Sequence, residues 1–325
     1  MNLSSNYFIV EDPGCLELIG EDCFDFLQRQ TTNDLNMLKE SGVLHTVLTT
    51  GNANILDLLT LLPEFEQSSD PQTDLNSIYI LTLNGYGENT FKYLKSRIFF
   101  MDKVSISDRS KDYIQVELFE DCLDSVLNFL GFESVPKPGH AEIKIINGRI
   151  IWALGSMDKL ILTCRLFYPI DLQNVVSDAI RESGGEELSS FEYNLLRLEA
   201  GFPVETRELT EEYSPLEVGL ENFISTSKGC YTGQEVIARQ LNYGKVARQL
   251  CGIKLDKMAD TADRVWLDGR TIGVVTSVGN SPRFGFIALG VLRKPYNQAG
   301  TEVLVGSEYE RSARAVCINL PFGID

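Results

Sequence analysis

The sequence predicts an α+β protein that ends in an antiparallel β-barrel. Two observations lead there. Up to about residue 245, strand-length apolar runs alternate with amphipathic helices, with too few long crossovers for a large parallel sheet. After Arg248, six strand-like runs follow at spacings of about ten residues, parted by Gly, Asp and Asn, the texture of a small barrel or sandwich. The boundary is therefore placed between an α+β region over 1–245 and a barrel over 246–325.

Taken in order, CFDFLQRQTTNDLNML reads as a helix and then a turn or second helix, with Phe24, Leu27, Leu35 and Leu38 apolar. LHTVLTT and ILDLLTLL are strand-length runs parted by Gly51, Asn52 and Asn54, a hairpin signal. EFEQSSDPQTDLNS, broken at Pro71, reads as a surface loop. SIYILTL is a buried strand before a helix around ENTFKYLKSRIFF, and DYIQVELF is a strand before the amphipathic EDCLDSVLNFLGF, which stops near Gly131. RIIWALG and KLILTCRLFYP form a strand pair, with Gly148 in a turn before the first. DLQNVVSDAIRESGG is a helix stopped by Gly184 and Gly185. In ELSSFEYNLLRLEAGFP, Ser189 and Glu192 match a capping box, in which a hydroxyl accepts the N3 amide hydrogen. Phe191, Leu195 and Leu198 share a face there, and Gly201 and Pro203 end the helix. GIKLD, RVWLD, TIGVVTSV, FGFIALGVL, TEVLVG and RSARAVCINL supply the barrel.

Composition narrows the function. With 43% hydrophobic and 23% charged residues, the 325-residue chain can bury the core of a soluble globular protein. A net charge of -17 argues against generic binding to nucleic acid or an anionic membrane, and the acidic surface suits a partner with a basic face. No apolar run approaches the roughly 20 residues of a bilayer span, and MNLSSNYFIVEDPG lacks the features of a secretory signal. Seven cysteines without CxxC spacing read as reduced thiols, so the expected compartment is the cytoplasm. Two histidines exclude a His-rich metal site, and no metal is expected.

KGCYTGQE (228–235) carries the chemistry most open to question. Thr232 and Glu235 match a second capping box, so a helix is expected from Gly233 to about Leu241, stopped by Gly244. Cys230 would then precede the N-cap, where free amide hydrogens, the helix dipole and nearby Lys228 favour a thiolate. The other reading is a small buried hydrophobe, and position alone leaves the two even. Glu199 lies in the last turn of the LLRLEAG helix, where the dipole disfavours a carboxylate by up to about 1 kcal/mol. Arg197, two residues away, points to a different face. A ligand with a planar N–H edge would pair with Glu199 as arginine does, although a surface ion pair is the commoner explanation. Asn33 within TTND, His45, Arg239, Arg248, Tyr213, Tyr231 and Phe223 are weaker candidates. Turns, packing, solvated cations and core aromatics are their ordinary roles.

FLQRQTTND, LRLEAG followed by SPLEVGL, KGCYTGQE, and the closing IGVVTSVGNSP…FGFIALG…AVCINLPF resemble, in this order and over nearly the whole chain, the YgfZ branch of the folate-binding glycine-cleavage T-protein superfamily. KGCYTGQE is the motif that separates this branch from true T-proteins. The resemblance implies two interleaved α+β lobes and a C-terminal barrel, set as a ring around a channel that holds tetrahydrofolate. It puts Glu199 on the pterin edge and Lys228 toward the folate, and makes Cys230 the thiol needed for assembly or repair of iron–sulfur enzymes. Asn33, Tyr231 as a stacking ring and Arg239 as a receiver of the carboxylate tail complete the expected binding set. Tetrahydrofolate and iron–sulfur client or assembly proteins are the expected partners. True T-proteins carry an aspartate after the strand that SIYILTL resembles, where this chain has Asn89 and Thr90, and Arg29 stands in place of a usual glycine. Turnover is therefore left open. A folate-dependent aminomethyltransferase or demethylase, and a scaffold that has lost the ligand, are the alternatives.

Overall fold

The computed structural model describes residues 6–64, 77–156 and 163–323. The loop expected around Pro71 and the first residues of KLILTCRLFYP lie outside the described residues. The chain begins in one sheet, leaves it, and returns. Strand β1 (Asn6–Ile9) belongs to the first sheet. The second sheet is then built from β2 (Cys15–Ile19), β3 (Leu44–Thr49), β4 (Ile55–Pro63), β5 (Ser77–Leu81) and β6 (Ser105–Asp108), in the order β3-β4-β5-β2-β6. Helices α1 (Cys23–Gln30), α2 (Leu38–Ser41) and α3 (Gly87–Arg97) are interspersed among these strands. The return brings β7 (Tyr113–Phe119), α4 (Asp121–Phe129), β8 (Ala141–Ile146), β9 (Arg149–Gly155), β10 (Thr163–Pro169), α5 (Gln173–Glu182) and β11 (Glu186–Glu187). The first sheet runs β11-β1-β7-β10-β9-β8 and is antiparallel except for the β1–β11 pair.

Helices α6 (Ser190–Glu199) and α7 (Gln234–Asn242) lead into β12 (Arg248–Leu255), β13 (Arg264–Leu267), β14 (Arg270–Ser281), β15 (Gly285–Arg293), β16 (Glu302–Gly306) and β17 (Ala313–Ile318). These six close a barrel in the order β12-β15-β14-β13-β16-β17, antiparallel at every pairing. Every strand-like run read after Arg248 is one of its staves. In β17, Ala313, Ala315 and Cys317 point inward while Arg314 and Val316 point out, the period of two that a half-buried strand requires.

Helix α6 is the wedge between the first sheet and the barrel. Its N-terminus is capped as expected: Ser189 Oγ accepts from Glu192 N at 3.3 Å, and Ser189 N donates to Glu192 Oε2 at 2.9 Å. Leu195 and Leu198 pack on Ile287 and Leu289 of the barrel, and Leu196 packs on Phe8 and Phe119 of the first sheet. Phe191, expected on the same apolar face, is 68% exposed, because it sits in the first turn beyond the reach of either neighbour. The helix closes with Phe202 N on Arg197 O (2.8 Å) and Gly201 N on Leu198 O (3.0 Å), the paired bonds of a Schellman stop. Gly201 takes φ +73°, and a Cβ there would lie 2.8 Å from Leu320.

The three bodies meet pairwise. Tyr79 of the second sheet packs with Trp152 and Phe167 of the first. Val47 and Ile55 of the second sheet share a cluster with Val291 of the barrel, bridged by Leu209 and Tyr213. With α6 joining the first sheet to the barrel, the contacts close into a ring. Among the described residues no helix is long and apolar enough to cross a membrane.

Candidate functional site

Two features stand out on this frame: an exposed thiol, and a cavity between the two sheets and α6. The thiol is Cys230, and the other six cysteines are buried. Its loop is held from beneath by Lys228. That side chain is buried, and its Nζ donates to Thr31 O (2.8 Å) and Asn33 O (2.6 Å) while lying 5.1 Å from the centre of the Tyr231 ring. Burial pushes the Lys228 amine down to about 8. Asn33 is equally committed, with Nδ2 on His45 O (2.8 Å) and Oδ1 accepting Asp34 N (2.9 Å). Lys228, Asn33 and Tyr231 therefore do come together, but as the foundation of the Cys230 loop. Lys228→Met is expected to cost roughly 1–3 kcal/mol, since two buried carbonyls lose their donor. Urea unfolding measures this directly.

The second capping box does not form. The N-cap of α7 is Gly233 at φ +85°, with no side-chain cap. Thr232 is occupied otherwise: its carbonyl accepts Thr49 Oγ1 (2.8 Å) and its N–H donates to Arg29 O (3.2 Å). A Cβ on Gly233 would meet Thr49 Oγ1 and Thr50 O at 2.8 Å, so only glycine lets the chain turn so close to the β3–β4 hairpin. Glu235 pairs with Arg239 at 2.9 Å on the solvent side of the helix, which takes Arg239 away from any enclosed site. Arg248 is engaged by Glu217 (2.7 Å) and lies over Tyr213.

Glu199 is buried, and its charge is compensated. Oε1 accepts from Ser281 Oγ at 2.5 Å and Oε2 lies 3.3 Å from Arg283 Nη1, both on or beside the end of β14. A carboxylate misplaced against the helix dipole thus has a partner across the barrel interface, not at the helix surface. Tyr193, Leu196 and Arg197 of α6, with Ala200 just past its end, face the cavity instead.

That cavity measures about 90 Å³. A second compartment of about 230 Å³ shares Thr60, Arg165, Tyr193, Arg197 and Phe202 with it. Its ionisable walls are paired: Arg165 with Glu117 (3.0 Å), which also accepts from Tyr193 Oη (3.2 Å). Arg197 fastens three elements, donating to Ser277 Oγ (2.8 Å) in the barrel, Phe202 O (3.3 Å) and Glu208 Oε2 (3.4 Å). His45 is the exception. Nδ1 meets Thr60 Oγ1 at 3.0 Å, while the buried Nε2 has no hydrogen-bond partner among the described residues. Burial first, and Arg165 second, push this imidazole down to about 3, so it is neutral. Gln115, in the second compartment, likewise has a buried amide nitrogen without a partner among the described residues. Unpaired polar atoms in a dry wall are costly, and a polar ligand would satisfy both. His45, expected to be structural, is thus part of the cavity.

Asp57 was not singled out by the sequence. It is fully buried on β4, accepting from Leu83 N (3.0 Å) and from the Thr90 hydroxyl, and burial raises it to about 7. A carboxylate therefore does stand beside the α3 segment that carries Asn89 and Thr90, supplied by the neighbouring hairpin strand.

The fold is of a recognisable class: two interleaved α+β lobes with a closed six-stranded barrel, shared with a solved aminomethyltransferase. Residues 248–322 match the glycine cleavage T-protein C-terminal barrel domain. A chloroplastic protein of Arabidopsis thaliana named as a transferase is 28% identical over 299 residues, covering 91% of this chain and 67% of its own. An aminomethyltransferase of Halalkalibacterium halodurans is 26% identical, covering 92% of this chain and 81% of its own. The crystal structure of glycine cleavage system aminomethyltransferase T from Bartonella henselae superposes with a TM-score of 0.83 at 19% identity, over 98% of this chain and 86% of that one. Together these give the chain the fold of the glycine-cleavage T-protein and a C-terminal barrel that matches that family's.

Proposed function

We propose that the protein binds tetrahydrofolate between its lobes and supports the assembly or repair of iron–sulfur enzymes, with the Cys230 thiol as its working group, within the YgfZ-like branch and in a reducing compartment such as the cytoplasm. The observation that carries the folate reading is the enclosed cavity with two unpartnered buried nitrogens, on His45 and Gln115, beside the aromatic walls of Phe119, Tyr193 and Phe202. A planar heteroaromatic ring with donors and acceptors on its edge suits such a wall. The two compartments together approach the roughly 300 Å³ at which ligand pockets begin. His45 and Gln115 would hydrogen-bond the ring, and Tyr193 and Phe202 would flank it. Bound tetrahydrofolate would supply a carrier for one-carbon units. Glu199 enters this reading in altered form. Its partner Arg283 is largely exposed, so a ligand edge reaching Glu199 would take the place of Arg283. Lys228, Asn33 and Tyr231 serve the folate only indirectly, through the loop they hold, and Arg239 stays in solvent.

Anaerobic calorimetry tests whether the ligand extends to Glu199, which lines neither compartment. Glu199→Gln is expected to weaken tetrahydrofolate binding about tenfold, or ~1.4 kcal/mol; unchanged affinity would remove Glu199 from the site. The thiol role is tested in cells lacking the native gene. Cys230→Ser is expected to leave iron–sulfur enzyme activities at the level of the deletion, and full rescue would overturn the role. Aminomethyl transfer or demethylation is the comparable second reading, favoured by relatives that are named aminomethyltransferases. It predicts turnover of a methylamine or aminomethyl donor in the presence of tetrahydrofolate. A scaffold without ligand predicts no saturable binding.

A further inference from the structure

The net charge of -17 conceals a basic face around Cys230. Segments 87–103 and 228–248 hold eight lysines and arginines against three acids; Lys228 is buried, and Lys92, Lys103, Arg239 and Arg248 pair with Glu88, Glu21, Glu235 and Glu217. Three of these cations, Lys95, Arg97 and Lys245, have no carboxylate within ion-pair distance among the described residues. Each lies instead on an aromatic ring, 5.1 Å from Phe91, 4.9 Å from Tyr93 and 5.4 Å from Tyr243 respectively. Beside them the chain exposes an apolar turn. Phe99, Phe100 and Met101 are 67%, 97% and 74% exposed.

This turn is built, not frayed. Asp102 N donates to Phe99 O (2.9 Å), and Asp102 Oδ2 accepts from Phe99 N (2.9 Å). The other oxygen of Asp102 takes Arg29 Nη2 at 2.8 Å, and Arg29 O takes Thr232 N, two residues beyond Cys230. The exposed thiol and the apolar turn thus hang from one residue, the arginine that stands where the family usually has glycine. Helix α3 also reaches the root of α7, since Tyr93 Oη donates to Thr49 O (3.4 Å) and Thr49 Oγ1 donates to Thr232 O.

Holding three large apolar side chains in water, rigidly and in sequence, is the signature of a surface made for an interface. The cations Lys95 and Arg97, which precede the turn directly at the end of α3, select for opposite charge. An anionic membrane or a nucleic acid would meet the long-range repulsion of the whole acidic molecule, whereas a protein with a locally acidic rim meets mainly the basic face. We propose that this face docks a protein whose binding surface is an apolar pocket rimmed by carboxylates. The Phe99–Met101 turn fills the pocket, and the docked partner lies against the Cys230 thiol. Only the use of the thiol rests on the function proposed above; the docking face rests on exposure and charge.

The experiment places the photocrosslinker benzoylphenylalanine at position 100 of the full chain in cells, with position 191, another exposed phenylalanine, as the control site. Protein adducts are expected at 100 and not at 191, at peptides rich in Asp and Glu. The yield is expected to fall tenfold or more in Lys95→Glu/Arg97→Glu, while tetrahydrofolate binding by that variant stays at the wild-type level. Adducts to lipid, to nucleic acid or to a second copy of the chain would overturn the proposal, as would no adduct or adducts indifferent to the charge reversal. If Cys230→Ser forms the adduct normally and also rescues iron–sulfur enzyme activities, the thiol role fails and the docking face stands.

Discussion

Arg197→Ala is expected to destabilise the protein by about 3–5 kcal/mol, measured by urea unfolding. The guanidinium ties α6 to the barrel through Ser277 and to the 202–208 segment through Phe202 O and Glu208. Removing it leaves the Glu208 carboxylate fully buried with its charge uncompensated, the case in which breaking a buried pair costs most. Ser277 still donates to Glu208 at 2.7 Å, which softens the loss without cancelling it. An apolar replacement of both partners, Arg197→Met with Glu208→Leu, is expected to recover much of the stability. A cost below about 1 kcal/mol for Arg197→Ala would mean that the pair is better solvated than its geometry shows.

Asp57 and His45 are expected to impose opposite pH slopes on stability. The folded pKa of Asp57, about 7, lies above its unfolded 3.8. The folded state then binds more protons between those values, so the Asp57 contribution is full below 3.8 and is lost as pH rises toward 7. The folded pKa of His45, about 3, lies below 6.5. Here the unfolded state binds more protons, and stability rises with pH from about 3 to 6.5. The two contributions offset each other through the acidic range. Relative to wild type, Asp57→Asn is expected to gain stability as pH rises from 4 to 6.5, and His45→Gln to lose it. Each limiting slope is about 1.4 kcal/mol per pH unit. Unfolding free energies at half-unit steps would show it, and parallel curves for all three proteins would contradict it.

The barrel was legible because its strands alternate inward and outward and are separated by turn residues, as β17 shows. The two sheets were less so. β1 and β2 lie either side of EDPG, and in β2 Glu17 is buried with Ser107 Oγ (3.2 Å) and Arg109 (3.6 Å) as partners, which defeats any reading by alternation. β8 leaves Ile143 and Ile145 exposed at a sheet edge, the reverse of the usual pattern. In the site, the exposure of Cys230 and the burial of Glu199 are tertiary facts. Whether Thr232 caps a helix depended on Thr49, 183 residues away. Lys228 likewise finds its acceptors 195 and 197 residues back in the chain. Asp57 and His45 did carry a signal. Each is a lone ionisable residue in an apolar run, and runs that apolar are covered on both faces, so such a residue must be buried.

The central claim is that tetrahydrofolate occupies the cavity walled by His45. Histidine-selective 15N NMR addresses it directly, because the chain has only two imidazoles and His140 lies at the exposed surface. Tetrahydrofolate added anaerobically is expected to shift the His45 Nε2 resonance saturably, as the bare nitrogen gains a partner, and to leave His140 where it is. A His45 spectrum unchanged at millimolar tetrahydrofolate would contradict the account and leave the cavity to some other ligand.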